Sequence, residues 1–270
     1  MTTIGFIGGG NMAQAIIAGL VKGGQSAKRL TVSDPNEASR QQVKTLGVTA
    51  IEDNARVMAD AEFIVLAVKP QVMGTVLDTL KPHVKGHHRF ISIAAGITLT
   101  RLKEGLGLTD QTVIRAMPNT PALIGQGMTA LTTSKELSDA DQTTVEALFN
   151  ACGQTVWVAD EEAIDAVTAV SGSGPAYFFL MVEHMIRSAT RLGLPMDIAT
   201  QLVMQTAKGA AAMVEQSDVR PDVLRSRVTS PGGTTAAALK VFEEGAFDDL
   251  VDRALIAARD RATELAKDAG

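Results

Sequence analysis

The sequence of 270 residues has a single cysteine, few aromatic residues and four histidines. The single cysteine, Cys152, excludes an internal disulfide, and we expect a buried, inert thiol at this position. Three of the histidines lie in the segment PHVKGHH, residues 82–88, which has no metal-ligand spacing. We interpret this segment as a solvated turn and expect no metal site.

Long charged runs and long apolar runs are also missing. The formal net charge is −5 and no run of lysine or arginine occurs, which argues against a nucleic-acid partner. The longest apolar runs, such as residues 63–68 and 177–182, are too short to span a bilayer. The chain starts with a strand-like apolar run and no basic n-region, so we expect a cytoplasmic protein rather than a secreted one.

Up to about residue 158, short β-branched runs alternate with helical stretches. The runs predict strands at residues 3–8, 29–33, 62–68, 88–95, 112–117, 127–133 and 154–160. Amphipathic stretches predict helices at residues 11–24, 36–47, 71–80 and 138–153. This alternation indicates a parallel sheet with helices on both faces, and therefore an α/β Rossmann-type domain over residues 1–160.

From residue 161 onwards the sequence predicts helices only, separated by glycine or proline. We therefore predict an all-α domain over residues 161–270. Several of its helices are apolar around most of their circumference, for example Tyr177–Ile186. A domain of about 110 residues has too little interior to cover such helices, so a partner subunit is the expected cover. The second domain is thus predicted to be a dimerisation domain.

The segment GFIGGGNMAQA, residues 5–15, carries a dinucleotide-binding fingerprint in the form GxGxxA. Glycine allows a tight turn and a close approach to a pyrophosphate, and the following helix offers free N–H groups. The fingerprint follows the first predicted strand and opens a helix, which is the context it requires. The candidate cofactor-binding residues here are Gly8, Gly9, Gly10, Asn11, Met12 and Ala13.

The end of the second strand bears on the choice between NADH and NADPH. Ser33 and Asp34 stand there, and an acidic residue accepts hydrogen bonds from a free ribose 2′-hydroxyl and repels a 2′-phosphate. Ser33, Arg40 and Asn54 favour the opposite choice. If Asp34 only caps the helix after Pro35, it does not bear on the cofactor. The sequence leaves these alternatives open.

Five further motifs carry a family resemblance: AVKP (67–70), SIAAG (92–96), RAMPNTP (115–121), VSGSGPAYF (170–178) and SPGGTT (230–235). Together with the fingerprint, and in this order, they resemble the pyrroline-5-carboxylate reductase family over essentially the whole chain. The resemblance implies reduction of L-1-pyrroline-5-carboxylate to L-proline by hydride transfer from NAD(P)H, the last step of proline biosynthesis. It implies NADPH as the main cofactor, with NADH possible, and a homodimer or a ring of dimers such as a decamer.

The resemblance also implies further cofactor contacts in this chain. They fall on Ser33, Asn54, Ala67, Val68, Lys69, Pro70, Ala94, Ala95 and Gly96. Asp34, Pro118 and Asn119 complete the predicted set of cofactor-binding residues.

Two glycine-rich motifs interrupt the helical region. In SGSGPAYF, glycine and proline would destabilise a continuous helix by about 1 and 3 kcal/mol per residue. We therefore predict that one helix ends near Val170 and that the next begins with Ser173 as cap and Pro175 at its first position.

In SPGGTT we expect Ser230 to cap a helix whose first turn lacks large side chains. Each hydrogen bond to a charged group contributes roughly 1.5–3 kcal/mol, and the helix dipole adds up to about 2 kcal/mol, so this helix start can hold a carboxylate without arginine. The predicted substrate-binding residues are Ser230, Gly232, Gly233, Thr234 and Thr235. Thr235 is the candidate catalytic residue, because its hydroxyl can hydrogen-bond the ring nitrogen of a cyclic imine.

Two other functions compete with this prediction. A dehydrogenase of the β-hydroxyacid group would use a lysine on the first long helix of the second domain, but residues 161–207 contain no lysine. A non-catalytic NADP-binding sensor could share the fold, since fold does not fix function. An assay of NADPH oxidation with pyrroline-5-carboxylate separates these alternatives.

Overall fold

The computed structural model of the protein describes residues 2–268, which form two compact units. The first unit contains the chain up to Ser173 together with the end of the last helix from Ala257, and the second contains Gly174–Ile256. The expected domain boundary near residue 160 lies one short helix before the unit boundary at Ser173. The division at residue 160 stays a prediction.

A single eight-stranded sheet forms the centre of the first unit, in the order β3-β2-β1-β4-β5-β6-β7-β8. All neighbours are parallel except β6 and β7. The central strands are short β-branched and aromatic runs that are buried on both faces, as in β1 and β4. The strands are β1 (Ile4–Ile7), β2 (Leu30–Ser33), β3 (Thr49–Ile51), β4 (Phe63–Leu66), β5 (Arg89–Ser92), β6 (Thr112–Met117), β7 (Gly127–Thr133) and β8 (Gly153–Trp157).

The antiparallel pair corrects the expectation of a wholly parallel sheet. Residues 118–126 connect β6 to β7 and contain only a 3-10 turn, Thr120–Ile124. A parallel neighbour needs a crossover of about a dozen residues or more, so this connection allows only an antiparallel return. The next crossover contains a full α-helix, and β8 accordingly runs parallel to β7.

Seven α-helices of the first unit cover the two faces of the sheet. They are α1 (Asn11–Lys22), α2 (Glu37–Lys44), α3 (Asn54–Asp60), α4 (Pro70–Leu80), α5 (Leu99–Leu106), α6 (Asp139–Asn150) and α7 (Glu161–Val167). Of these elements, α3 and α5, together with strand β3, were not predicted from the sequence.

The core consists of two apolar clusters, and the alternation of side chains along β1 separates them. Phe6 belongs to the cluster that includes Ile16 of α1 and Phe149 of α6. Ile7, the next residue, belongs to the cluster that includes Leu77 of α4. Successive strand residues point to opposite faces, so the helices lie on both sides of the sheet as predicted.

The lone cysteine and one histidine are both buried. Cys152 is 2% exposed, its thiol lies 3.3 Å from the Phe149 carbonyl oxygen, and burial raises the thiol pKa, which confirms the predicted inert thiol. His88 is 1% exposed, so the prediction of a solvated turn is wrong for this residue. Its Nε2 atom lies 3.0 Å from the Met58 carbonyl oxygen, and its Nδ1 accepts the Lys85 N–H at 3.0 Å. Burial lowers the pKa of His88.

The segment 168–173 differs from the predicted helix break. A π-helical turn, Thr168–Gly172, continues α7, and the Ser173 N–H donates to the Thr168 carbonyl oxygen at 2.8 Å. Ser173 has helical dihedral angles, and Pro175 is the second residue of the next helix, so the predicted cap and first position are wrong. The wider turn accommodates the glycines without ending the helical path.

Five helices follow the π-helical turn: α8 (Gly174–Arg191), α9 (Met196–Gln216), α10 (Pro221–Arg227), α11 (Thr234–Glu244) and α12 (Phe247–Asp268). Within Gly174–Ile256 only Gly174, Ala199 and Val203 are buried in the single chain. Across residues 2–268, each helix falls short of the combination of length and hydropathy that a membrane crossing requires.

Candidate active site

The ends of four parallel strands bring most of the predicted cofactor residues to one edge of the sheet. Ile7 at the end of β1 is paired with Ser33 of β2 and with Leu66 of β4, and Leu66 is paired with Ser92 of β5. The residues that follow these strands therefore lie side by side. The order of the strands reverses between β1 and β4, and ligands of open α/β sheets bind at such a reversal, outside the carboxyl ends of the strands.

The fingerprint loop has the close clearances that glycine allows. Gly8 has φ +104°, and a Cβ atom there would lie 2.7 Å from the carbonyl oxygen of Ala67 in the AVKP motif. A side chain at Gly8 would therefore clash with the β4 loop and strain the backbone. A Cβ atom at Gly10 would meet no described atom within 4 Å. The loop is thus tight on the protein side and open at Gly10.

Helix α1 begins at this open position. Gly10 is its N-cap, no side chain of the described residues caps it, and its first turn contains no acidic residue. Asn11, Met12 and Ala13 form that first turn. Free N–H groups and the positive end of a helix dipole suit a pyrophosphate, so this part of the chain fits a dinucleotide.

The AVKP and SIAAG segments lie beside the fingerprint. Lys69 is the exposed N-cap of α4, and Pro70 is its first residue. Gly96 has φ +73°, and a Cβ atom there would lie 3.3 Å from Leu265 near the end of α12. The last turns of α12 therefore pack against the Ala94–Gly96 loop. Ala67, Val68 and Ala95 follow the same two strand ends.

Other predicted cofactor residues have structural partners. The Ser33 hydroxyl is buried and lies 3.4 Å from the Phe6 carbonyl oxygen. The Asn119 side chain donates to the Ser171 carbonyl oxygen at 3.0 Å and accepts the Met128 N–H at 2.8 Å, and Pro118 before it is buried. Asn54 begins α3. Cofactor contacts of Ser33, Asn54, Pro118 and Asn119 stay predictions.

The SPGGTT segment forms an uncovered helix start in the second unit. Gly233 is the N-cap of α11, which has no side-chain cap in the described structure and no acidic residue in its first turn. Pro231, Gly232 and Thr234 are exposed, and Gly232 has φ +71°. The N–H groups at the start of α11 thus face solvent in the single chain, as a carboxylate site requires.

The predicted capping role of Ser230 is wrong. Its side chain makes no cap hydrogen bond to α11. Its carbonyl oxygen accepts the Gly233 N–H at 3.0 Å, and a Cβ atom at Gly233 would lie 2.5 Å from the Ser230 hydroxyl oxygen. Ser230 is exposed, lies beside Gly233 and leaves the start of α11 uncapped. Glycine at residue 233 makes room for this hydroxyl.

A buried charge network in the first unit was not predicted from the sequence. Arg115 on β6 is 3% exposed, and its guanidinium lies 2.9 Å from the Glu161 carboxylate and 3.5 Å from the Asp165 carboxylate. Glu161 also accepts the N–H of Leu99, and Asp165 accepts the Thr263 hydroxyl at 2.9 Å. The network joins β6, α7, the start of α5 and the end of α12. An arginine inside the apolar strand TVIRAM is the sequence signal that marks it.

Comparison with known proteins places this geometry in a family. The family model "NADP oxidoreductase coenzyme F420-dependent" matches residues 3–96, and "Pyrroline-5-carboxylate reductase dimerisation" matches residues 161–265. A curated pyrroline-5-carboxylate reductase of Pseudomonas aeruginosa is 46% identical over 268 residues, which cover 99% of this chain and 98% of the relative. The chain belongs to the pyrroline-5-carboxylate reductase family. The family resemblance predicted from the sequence motifs is confirmed.

Solved structures of pyrroline-5-carboxylate reductases share this architecture. The enzyme from Coxiella burnetii superimposes with a TM-score of 0.93 at 38% identity, covering 98% of both chains. The enzyme from Plasmodium falciparum, whose structure has NADP bound, gives 0.87 at 31% identity, also covering 98% of both. The predicted fold class, a Rossmann-type domain followed by a helical dimerisation domain, is confirmed, as are the oxidoreductase class and a homo-oligomer.

Proposed function

We propose that this chain reduces 1-pyrroline-5-carboxylate to L-proline, with NADPH as hydride donor and NADH as a second donor. The observation that carries the proposal is the uncovered start of α11 in a member of the pyrroline-5-carboxylate reductase family. Gly233 as N-cap, with no acidic residue after it, leaves N–H groups for one small carboxylate. A substrate that carries a carboxylate next to its reactive C=N bond matches this feature.

The residues of the SPGGTT segment have separate roles in the proposal. The backbone of the turn formed by Ser230, Gly232, Gly233 and Thr234 binds the carboxylate of the substrate through its unpaired N–H groups. The Gly233 N–H is not one of them, because it donates to the Ser230 carbonyl oxygen. The hydroxyl of Thr235 hydrogen-bonds the ring nitrogen and so orients the C=N bond. Neither role needs a charged side chain, because hydrogen bonds to a carboxylate are strong and the helix dipole adds to them.

The proposed reaction needs little acid–base catalysis from the protein. A bound nicotinamide cofactor would supply the hydride for the carbon of the protonated C=N bond. The electron pair of the π bond moves to nitrogen, which keeps its proton, and the product is the secondary amine of proline. The protein therefore binds, orients and shields the imine, and Thr235 fixes the nitrogen.

Three further parts of the proposal have different grounds. The contacts of the predicted cofactor residues follow from the fingerprint and from the family resemblance, the assembly of dimers into a ring such as a decamer follows from the resemblance, and the cytoplasmic location follows from the N-terminal sequence. Each stays a prediction.

Substitution of Thr235 tests the catalytic role. Because the proposed role of Thr235 is to orient the C=N bond, Thr235→Ala is expected to lower kcat for pyrroline-5-carboxylate by less than about 10²-fold. A loss of about 10²–10⁴-fold would indicate that the hydroxyl takes part in proton transfer. Thr235→Ser keeps the hydroxyl and is expected to retain most of the rate. NADPH oxidation is followed with the imine as substrate. An unchanged rate with unchanged affinity for the imine in Thr235→Ala would remove Thr235 from the mechanism.

Substitution of Gly233 tests the carboxylate site. In Gly233→Asp the new carboxylate would take the N–H groups that bind the substrate and repel the substrate carboxylate, raising KM for the imine by about 100-fold. Gly233→Ala is the uncharged control, because its methyl group meets the same Ser230 hydroxyl and carbonyl oxygens, at 2.5 and 3.1 Å, as the Cβ atom of Asp does. A KM equal to that of the control would contradict the site.

A further inference from the structure

The residues at the end of β2 decide how the proposed enzyme distinguishes its two cofactors. Asp34 follows β2 directly, and both oxygens of its carboxylate accept backbone N–H groups at 2.8 Å. One hydrogen bond comes from Gly9 in the fingerprint loop and the other from Asn36. The carboxylate is therefore fixed beside the fingerprint, where an acidic residue accepts the ribose hydroxyls of NADH.

Asp34 is not the cap of helix α2. The N-cap is Asn36, whose side chain accepts the N–H groups of Ala38 and Ser39. This removes the alternative in which Asp34 has only a capping role and does not bear on the cofactor. Its negative charge stands at the β2 end, turned towards β1.

The basic side chain of the same turn is already paired. The Arg40 guanidinium contacts the Glu37 carboxylate through Nε and Nη2, and its Nη1 donates to the carbonyl oxygens of Asp34 and Pro35 at 2.7 and 2.9 Å. Glu52 lies 3.9 Å from the same nitrogen. The nitrogens of the Arg40 guanidinium, which could bind a phosphate in a bidentate manner, thus contact protein groups instead.

The neighbouring strand end adds more negative charge. The Asp34 N–H donates to the carbonyl oxygen of Ile51 at the end of β3, and Glu52 and Asp53 follow that residue. Glu37 and Glu52 flank the Arg40 guanidinium, the Asp34 carboxylate lies on the Gly9 side of the same turn, and the Asp53 carboxylate accepts the Ala55 N–H at the start of α3. A 2′-phosphate brings about −1.5 to −2 charges at neutral pH, so this edge opposes it.

We propose that Asp34 is a cofactor-specificity residue, which lowers the affinity for NADPH relative to NADH and lets the chain use both. The proposal rests on the proposed function, because it concerns the cofactor of that reaction. Asp34 acts through its fixed charge on the dinucleotide, and Glu37 acts through Arg40 by keeping that guanidinium from a 2′-phosphate.

Equilibrium binding without any imine tests the proposal. Dissociation constants of NADPH and NADH are measured by titration calorimetry for the whole protein and for Asp34→Asn, which removes the charge and keeps an acceptor oxygen. The expected result is that the ratio Kd(NADPH)/Kd(NADH) falls by about tenfold in the variant. Asp78→Asn makes the same charge change at an exposed position on α4 and is expected to leave the ratio unchanged.

A second variant keeps the test decisive if Asp34→Asn fails to fold. Glu37 is exposed, so Glu37→Gln is expected to fold. It removes the charged partner of Arg40 Nε and Nη2, while Nη1 stays on the Asp34 and Pro35 carbonyl oxygens, and is expected to tighten NADPH binding by several-fold with little change for NADH. The proposal is overturned if Asp34→Asn weakens both cofactors equally, the result of a purely structural role at Gly9, or if neither variant changes the ratio. Absence of any nicotinamide binding in the unmodified protein would instead refute the proposed function.

Discussion

The two compact units of this chain use their apolar residues in opposite ways. The first unit buries them in two clusters on either side of its sheet. The second unit leaves large apolar side chains in solvent, including Phe178 at 73% and Phe179 at 66% exposure on α8. A monomeric protein rarely exposes a contiguous apolar surface of this kind. The first unit therefore buries its apolar side chains within its own chain, whereas the second needs another copy of the chain to cover them. This agrees with the match of the second unit to the dimerisation family model.

The two units nevertheless share one feature, an uncapped helix that starts at glycine. Helices α2, α3, α5, α6 and α7 have a side-chain cap, whereas α1, α4, α9, α10 and α11 have none in the described structure. Of these uncapped helices, α1 and α11 have glycine as the N-cap residue, at Gly10 and Gly233. Both also lack an acidic first-turn residue. The loop before α1 is held by close packing at Gly8, whereas the loop before α11 is exposed. Both helix starts thus have the features expected of an anion-binding site, one in a unit that buries its apolar residues and one in a unit that exposes them.

The largest effect is expected from Arg115→Met, which tests whether the first unit depends on its own contacts. The substitution leaves the Glu161 and Asp165 carboxylates without their buried cation. Breaking such a pair costs about 3–5 kcal/mol, so the free energy of unfolding should fall by that amount in urea titrations. Self-association of the folded protein should be unchanged. The double variant Arg115→Met with Asp165→Asn is expected to recover part of the lost free energy of unfolding. If Arg115→Met alone lowers this free energy by less than about 1 kcal/mol, the network is unimportant for stability.

A smaller effect is expected from Phe179→Asp, which tests whether the second unit depends on a further copy. A charge on the exposed apolar face of α8 should raise the dissociation constant of the subunits by about 100-fold, measured by analytical ultracentrifugation over a dilution series. The melting temperature should then depend more strongly on protein concentration. Thr75→Asp on α4 introduces the same charge at an exposed residue of the first unit. Equal dissociation constants for the two variants would break the comparison between the units.

The sequence predicted those strands and helix starts that depend on local patterns of residues. The apolar runs identified seven of the eight strands, and the fingerprint and SPGGTT motifs identified the starts of α1 and α11, although Ser230 rather than Gly233 was expected as the cap of α11. Strand β3 has three residues, and α3 and α5 are short, so their periodic signals are weak. The direction of β7 follows from the length of residues 118–126 rather than from any strand pattern.

Contacts between residues far apart in sequence could not be predicted. Asp34 pairs with Gly9, 25 residues away, and Arg115 pairs with Glu161, 46 residues away. Ser230 has the residue type of a helix cap, but its side chain does not cap α11. Its hydroxyl oxygen lies 2.5 Å from the position that a Cβ atom at Gly233 would take. Periodicity and propensity report on neighbours in the chain and carry no signal for such partners. A charged residue within an apolar strand, as at Arg115, is the exception that a sequence can reveal.

The smallest effect is expected from protonation of His88, a single buried ring in the first unit. Its neutral form donates from Nε2 to the Met58 carbonyl oxygen and accepts the Lys85 N–H at Nδ1. Protonation would place a second hydrogen against the Lys85 N–H, and burial together with the charge of His87 lowers the pKa of His88 below its ordinary value of 6.5. Below that pH the unfolded chain binds a proton that the folded chain does not, so stability falls as the pH falls.

The measurement is the free energy of unfolding from urea titrations across a pH series on both sides of 6.5. His88→Gln removes the titrating ring but keeps one donor and one acceptor, and every other ionisable group is shared. The unmodified protein should therefore lose more stability than the variant as the pH drops through 6.5 and towards the lowered pKa of His88. Parallel curves for the two proteins would mean that the ring titrates in the folded state as it does in the unfolded chain. In that case His88 would have a second, water-exposed arrangement, and the first unit would bury this ring less fully than the structure indicates.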